Sequence, residues 1–202
     1  MREERITVGA WDLVLLRPDD PESLIDEERF GIDEFMPYWA ELWPSGIALA
    51  RHVAELPLAG KRVLELGCGL GLPSLSAAAA GAEVLATDWA REALDLLRSN
   101  AATNELRLET ARLDWRDDAP PGSPFDLVLA ADVLYLRTGV EAALALMPRL
   151  VAPGGEIRIA DPRRAGARDF LAAARATFTV RTRQEAEIAL HRLTAKPPRA
   201  RG

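Results

Sequence analysis

The sequence predicts a three-layer α/β domain built on a mostly parallel sheet, and three observations carry that expectation. An apolar run, Val63-Leu64-Glu65-Leu66, ends in closely spaced glycines at positions 67, 69 and 71. A helical pattern follows, then a second apolar run, Val84-Leu85-Ala86, that ends on Thr87-Asp88. Strand, glycine turn, helix and strand in this order open a nucleotide-binding α/β sheet. Strand-like and helical stretches then keep alternating, and residues 125–130 (FDLVLA) form a near-continuous apolar run, as a central strand covered on both faces requires.

The elements follow in order. Residues 6–16 are β-rich around Gly9 and predict a hairpin, closed by Pro18 and Pro21. Residues 22–29 predict a short helix, and 31–43 an irregular, aromatic-rich lead-in. Residues 45–56 place Ile47, Leu49, Ala50, Val53 and Ala54 on one helical face. Residues 62–66 are the first sheet strand, 72–80 its helix, 83–87 the next strand, and 90–100 a helix with Ala93, Leu94, Leu97 and Ala101 aligned. Residues 106–113 give a third strand, and 117–124 a polar, proline-rich loop. After the strand at 125–130, residues 138–150 predict a helix stopped by Pro153-Gly154-Gly155, with a fifth strand at 156–160. A last helix at 165–176 leads to a terminal strand pair at 178–183 and 188–193. The expected division is an N-terminal extension over 1–44, the α/β domain over 45–195, and a disordered basic tail over 196–202.

Composition excludes several classes. Of 202 residues, 49% are hydrophobic and 28% charged, an ordinary balance for a globular chain. Its apolar runs are too short to span a membrane, and the first residues lack the apolar core of a secretion signal. One cysteine, Cys68, cannot form an internal disulfide, and His52 and His191 add no metal-ligand spacing. A cytoplasmic, metal-free, monomeric protein is the expectation. Residues 1–44 carry 12 Asp/Glu against 4 Arg and no Lys, a net of −8, leaving 19 acids and 21 bases, a net of +2, in the remainder. That segment is either a solvated face or the rim of a cleft that draws in a cationic partner. Nucleic-acid phosphates would be repelled there.

The glycine turn fails the dinucleotide pattern, because the sixth position from Gly67 is Leu72 rather than glycine. No Lys-Ser/Thr follows, so a phosphate loop is excluded too. Glu65, just before the turn, would repel a pyrophosphate and suit an ammonium. Asp88 is placed to accept both ribose hydroxyls, and Asp114, in Leu113-Asp114-Trp115, could accept from an exocyclic adenine amine. Three acids at the ends of three successive strands describe a ligand with an ammonium, a ribose and an adenine but no phosphates. S-adenosylmethionine fits that description.

With these residues the chain resembles class I, seven-stranded S-adenosylmethionine-dependent methyltransferases, from about residue 37 onward. Pro37-Tyr38-Trp39-Ala40-Glu41-Leu42-Trp43-Pro44-Ser45-Gly46 looks like the lead-in of the family 16 protein-lysine methyltransferases, and Ala131-Asp132-Val133-Leu134-Tyr135 like their D-x-x-Y motif. The lead-in is most similar to that of the lysine methyltransferases of the electron transfer flavoprotein β-subunit. The resemblance implies a seven-stranded Rossmann-like sheet and transfer of methyl to a lysine of a protein partner. It assigns the cofactor to Trp43, Glu65, Gly67, Gly69, Gly71, Asp88, Trp89, Asp114, Trp115 and Ala131. Asp132 and Tyr135 would stand beside the transferred methyl, with Tyr38 and Trp39 lining the acceptor pocket. Core packing is the alternative for Trp39, Trp43 and Tyr135. A small-molecule amine acceptor and a non-catalytic cofactor-binding module are the alternative functions. The Asn-Pro-Pro-Tyr/Phe signature used on nucleobases and planar amides is absent, which counts against those acceptors.

Overall fold

The computed structural model describes residues 1–24, 37–116 and 119–196. Strands β1 (Arg2–Val8) and β2 (Trp11–Arg17) form an antiparallel hairpin that is a two-stranded sheet of its own. The main sheet begins after α1 (Pro44–Val53) with β3 (Arg62–Leu66), α2 (Leu72–Ala79), β4 (Glu83–Asp88), α3 (Arg91–Thr103) and β5 (Glu109–Arg112). Its second half is β6 (Phe125–Ala131), α4 (Arg137–Leu150), β7 (Val151–Asp161), α5 (Ala165–Ala174), β8 (Phe178–Glu185) and β9 (Ile188–Ala195). The seven strands lie in the order β5-β4-β3-β6-β7-β9-β8, and β9 runs antiparallel to both neighbours. Sequence order reverses between β3 and β6, which puts the crevice for a ligand at the carboxyl ends of these two strands.

Period-two alternation explains the layers. Leu64, Leu66, Val128, Ala130, Ile157 and Ile159 face one side of the sheet and pack on Leu146, Met147 and Phe170 of α4 and α5. Val63, Leu127, Leu129 and Ala160 face the other side, against Leu49 and Val53 of α1 and Ala77 of α2. The hairpin joins a third cluster, in which Ile6, Val8, Leu13 and Leu15 meet Leu72, Leu75, Leu94 and Leu97 of α2 and α3.

Element boundaries depart from expectation where charge or glycine misled. The hairpin begins at Arg2, inside the charged run Arg2-Glu3-Glu4-Arg5, because one face of β1 is open to solvent. Pro153-Gly154-Gly155 lies inside β7 instead of preceding it. The register jumps from Phe125↔Val151 to Leu127↔Glu156, so the extra residues bulge out. A Cβ on Gly155 would come within 2.8 Å of the Asp126 carbonyl oxygen, so glycine is what lets the bulge approach β6. Pro21–Leu24 is a single 3-10 turn. The rest of the helix expected over 22–29, most of the lead-in before Pro37 and the tail over 197–202 lie outside the described residues.

Candidate active site

Gly67, Gly69 and Gly71 all adopt positive φ, of 63°, 50° and 74°. That conformation turns the chain from the end of β3 into α2 within five residues. The turn is bolted to β4: Cys68 N–H donates to the Thr87 carbonyl at 2.9 Å, and Gly69 N–H to Asp88 Oδ2 at 2.9 Å. The Asp88 Oδ1 accepts from Ala90 N–H at 3.0 Å, so this carboxylate fixes both its own loop and the glycine turn. Burial pushes the Asp88 pKa up, against the pull of those amides.

Each glycine makes room for a different neighbour. A Cβ on Gly67 would stand 2.8 Å from Val133 Cγ1 and 3.8 Å from the Trp115 ring. A Cβ on Gly69 would stand 3.0 Å from the Trp39 carbonyl oxygen, so the Tyr38–Ala40 turn lies directly over it. Gly71 is turned towards α3, where Leu97 fills the space a side chain would need. Its requirement is therefore helix packing, whereas Gly67 and Gly69 admit Val133 and the Trp39 backbone over the end of β3.

Glu65 is not the open ammonium partner that the sequence suggests. Its side chain is 1% exposed and accepts from Ser74 N–H at 2.9 Å and from the Ser74 hydroxyl. Ser74 is in the first turn of α2, whose N-cap, Gly71, has no side chain to offer. Glu65 thus caps the helix from the neighbouring strand. Burial raises its pKa to about 8, with the two Ser74 hydrogen bonds opposing and Asp88 adding to the rise. Asp114 is likewise engaged rather than free. Arg116 donates to it from its backbone N–H at 3.0 Å and from Nε at 2.9 Å, and these hydrogen bonds lower the Asp114 pKa to about 2. The Arg116 side chain is 81% exposed, so a competing donor displaces it at small cost.

Tyr38, Trp39, Trp43, Trp115 and Tyr135 gather around the glycine turn. Trp43, at the N-cap of α1, donates Nε1–H to the Tyr38 carbonyl at 2.9 Å, and its ring meets Tyr38 edge-on at 6.2 Å. Tyr38 in turn meets Tyr135 edge-on at 5.8 Å. Both tyrosines are 46% exposed, as is Trp89 to a similar degree, whose carbonyl accepts from Arg112 Nε at 2.9 Å. Trp115 and Trp39 are half-buried, Trp115 against Gly67 and Gly139. Ala131 closes β6, and Asp132 follows at φ 55°, a left-handed conformation unusual for aspartate. Sequence reasoning missed Ser74, Val133, Asp161 and Arg164. An acid directly after the fifth strand was the available signal for Asp161 and for the arginine beside it. Among the described residues no cluster of three or more His, Cys, Asp or Glu could hold a metal, and no helix is long and apolar enough to cross a membrane.

Residues 38–176 match the sequence profile of a family described as lysine methyltransferase, more than half of the chain. The chain belongs to this family. S-adenosylmethionine, the cofactor expected from the sequence, goes with that membership. The family's protein N-lysine methyltransferase METTL21A of Danio rerio is 35% identical over 121 residues, 55% of this chain and 55% of that protein. The electron transfer flavoprotein beta subunit lysine methyltransferase of Danio rerio is 36% identical over 138 residues, 64% of this chain and 51% of that protein. The chain spans about half the length of these relatives. Among solved structures, the Thermus thermophilus 16S rRNA N2 G1207 methyltransferase RsmC superposes with a TM-score of 0.72 at 18% identity, over 96% of this chain and 50% of that one. At that identity the likeness is one of fold, the seven-stranded Rossmann-like sheet of class I methyltransferases.

Proposed function

We propose that this protein transfers a methyl group from S-adenosylmethionine to the ε-amine of a lysine on a protein partner, with an electron transfer flavoprotein β-subunit as the leading acceptor. The observation that carries the reading is the meeting of Tyr38 and Tyr135 above the glycine turn, in a chain whose family is that of lysine methyltransferases. The residues present fit the cofactor. The turn after β3 carries no side chain at 67 or 69, Val133 and Trp39 bound the space beside it, and Asp88 stands at the end of β4. When bound, S-adenosylmethionine supplies an electrophilic methyl on a cationic sulfur. Gly67, Gly69, Asp88, Asp114, Trp115 and Trp43 would hold and orient it, with Ala131 and Trp89 at the rim, while Glu65 keeps α2 and the turn in place.

Tyr38, Trp39 and Tyr135 would line the acceptor channel, where tyrosine faces attract a lysine side chain by cation–π contact. Asp132 would hold the amine by hydrogen bonding, and alignment of amine and methyl would supply most of the acceleration. The same reading has the enzyme act as a monomer in the cytoplasm, where the Cys68 thiol stays reduced. Incubation with methyl-labelled S-adenosylmethionine and a lysate of the source organism, followed by mass spectrometry, tests the whole reading. Label on lysines of a flavoprotein β-subunit is the expected result. Label confined to small molecules would overturn the protein acceptor, and no label would point to a non-catalytic module.

A further inference from the structure

Asp132 does not stand alone at the acceptor end of the crevice. Its side chain is 5% exposed, and both carboxylate oxygens are taken by Arg164, Oδ1 by Nε at 2.5 Å and Oδ2 by Nη2 at 3.3 Å. Arg164 is the N-cap of α5, and its own backbone N–H donates to Asp161 Oδ1 at 2.7 Å. Asp161 is 1% exposed, and its other oxygen is buried without a hydrogen-bond partner. The guanidinium is therefore seated from two sides, by Asp132 after β6 and through its own backbone by Asp161 at the end of β7. Asp132 makes this pairing from a left-handed backbone, φ 55°.

We propose that Arg164 is a positioning residue that acts through Asp132 to make the acceptor pocket select the neutral amine. This inference rests on the lysine reading above. A lone buried carboxylate would bind an incoming ammonium and hold its proton, which is the wrong state for attack. The Asp132–Arg164 pair carries no net charge, and a second cation entering beside it meets a like charge on Arg164. A neutral amine meets no such penalty. It can donate an N–H to a remaining lone pair of the carboxylate, which leaves its own lone pair for the methyl. The proton stays behind in water. Transfer then forms the N–C bond as the C–S bond breaks, the electron pair leaves with sulfur, and the positive charge passes from sulfur to nitrogen.

The other groups around this point are consistent with that balance. Tyr135, in the loop after β6, feels the fields of Asp88 at the end of β4, Tyr38 in the lead-in turn, Asp132 and Arg164, and Asp161 lies behind Arg164. Burial raises the pKa of Tyr135, so its phenol presents a neutral ring, and burial also favours the protonated form of Asp161. Arg164 is 40% exposed, so its field is partly screened and its effect on the amine is moderate.

The test is the pH dependence of N-methyl-lysine formation in lysate proteins of the source organism, from about pH 6 to about pH 10, with wild type, Arg164→Gln, Arg164→Lys and Asp132→Asn. Affinity for S-adenosylhomocysteine within about three-fold of wild type certifies each variant as folded. The acid limb of Arg164→Gln should move up by roughly one pH unit, Arg164→Lys should restore it, and Asp132→Asn should lose rate without moving the limb upward. A uniform loss of rate with an unmoved limb in Arg164→Gln, or a lysine variant no better than glutamine, overturns the inference and leaves the lysine reading standing. Absence of N-methyl-lysine with wild type overturns that reading and the inference with it.

Discussion

Glu65 illustrates how one side chain can serve the scaffold from inside a ligand site. Sealed under the glycine turn, it has a pKa of about 8 against an ordinary 4.5. The folded value lies above the unfolded one, so as pH rises the unfolded chain sheds this proton first. The stability linked to protonated Glu65 is complete below about pH 4.5 and is lost between about 4.5 and 8, at up to ~1.4 kcal/mol per pH unit. Glu65→Gln keeps an acceptor for Ser74 but has no proton to lose. Urea titrations should therefore find wild type losing ground to Glu65→Gln as pH rises through that window. Parallel responses of the two proteins would mean that the carboxyl is already ionised in the fold. From sequence, Glu65 is legible as important but not for this reason. Its cap role depends on Gly71 lacking a side chain and on Ser74 falling in the first turn of α2, a coincidence of strand and helix that only packing reveals.

The hairpin is held to the body by helix α3 in an unusual way. Asn104 accepts from Val14 N–H at 2.8 Å and donates to the Val14 carbonyl at 2.7 Å, while Asn100 accepts from Leu16 N–H at 2.7 Å and donates to the Leu16 carbonyl at 3.2 Å. Four helical residues advance about 6 Å and two strand residues about 7 Å, so the two amides match the spacing of the free edge of β2. They stand where a third strand would pair, which also blunts that edge against other chains. The double variant Asn100→Ala/Asn104→Ala should lose roughly 2–4 kcal/mol, and hydrogen exchange at the Val14 and Leu16 amides should speed up. Unchanged protection at those two amides would show that apolar contacts alone hold the hairpin. Helices and central strands were legible because apolar periodicity is local, as in α3, where Leu94 and Leu97 recur on one face. What was not legible is pairing between distant residues: the asparagines with β2, Asp132 with Arg164, and the bulge that lets β7 begin at Val151 before its glycines. Spacing alone puts the glycine turn after β3 and Asp88 at the end of β4, but the partners that occupy Asp88, Asp114, Asp132 and Glu65 were not foreseeable from it.

At the scale of the molecule, charge is sorted along the chain, with a net of −8 over residues 1–44 against −6 for all 202. A field of that sign favours encounter with a basic partner and is screened over about 8 Å at physiological salt. Raising salt from about 0.05 to about 0.5 M should weaken the KM for a lysine-rich acceptor several-fold while kcat stays within about two-fold. A KM indifferent to salt would assign the acidic segment to solvation alone. The sheet carries a different global consequence. β9, the last strand in chain order, does not sit at an edge but is inserted between β7 and β8. As the chain emerges from the ribosome, β8 has no partner in the sheet until β9 arrives to bridge it to β7. The crevice side of the domain, built from β3 to β6, is synthesised well before that closing step. Completion of the sheet therefore waits on β9, and a stop ahead of Ile188 would remove an interior strand while sparing every residue of the candidate site.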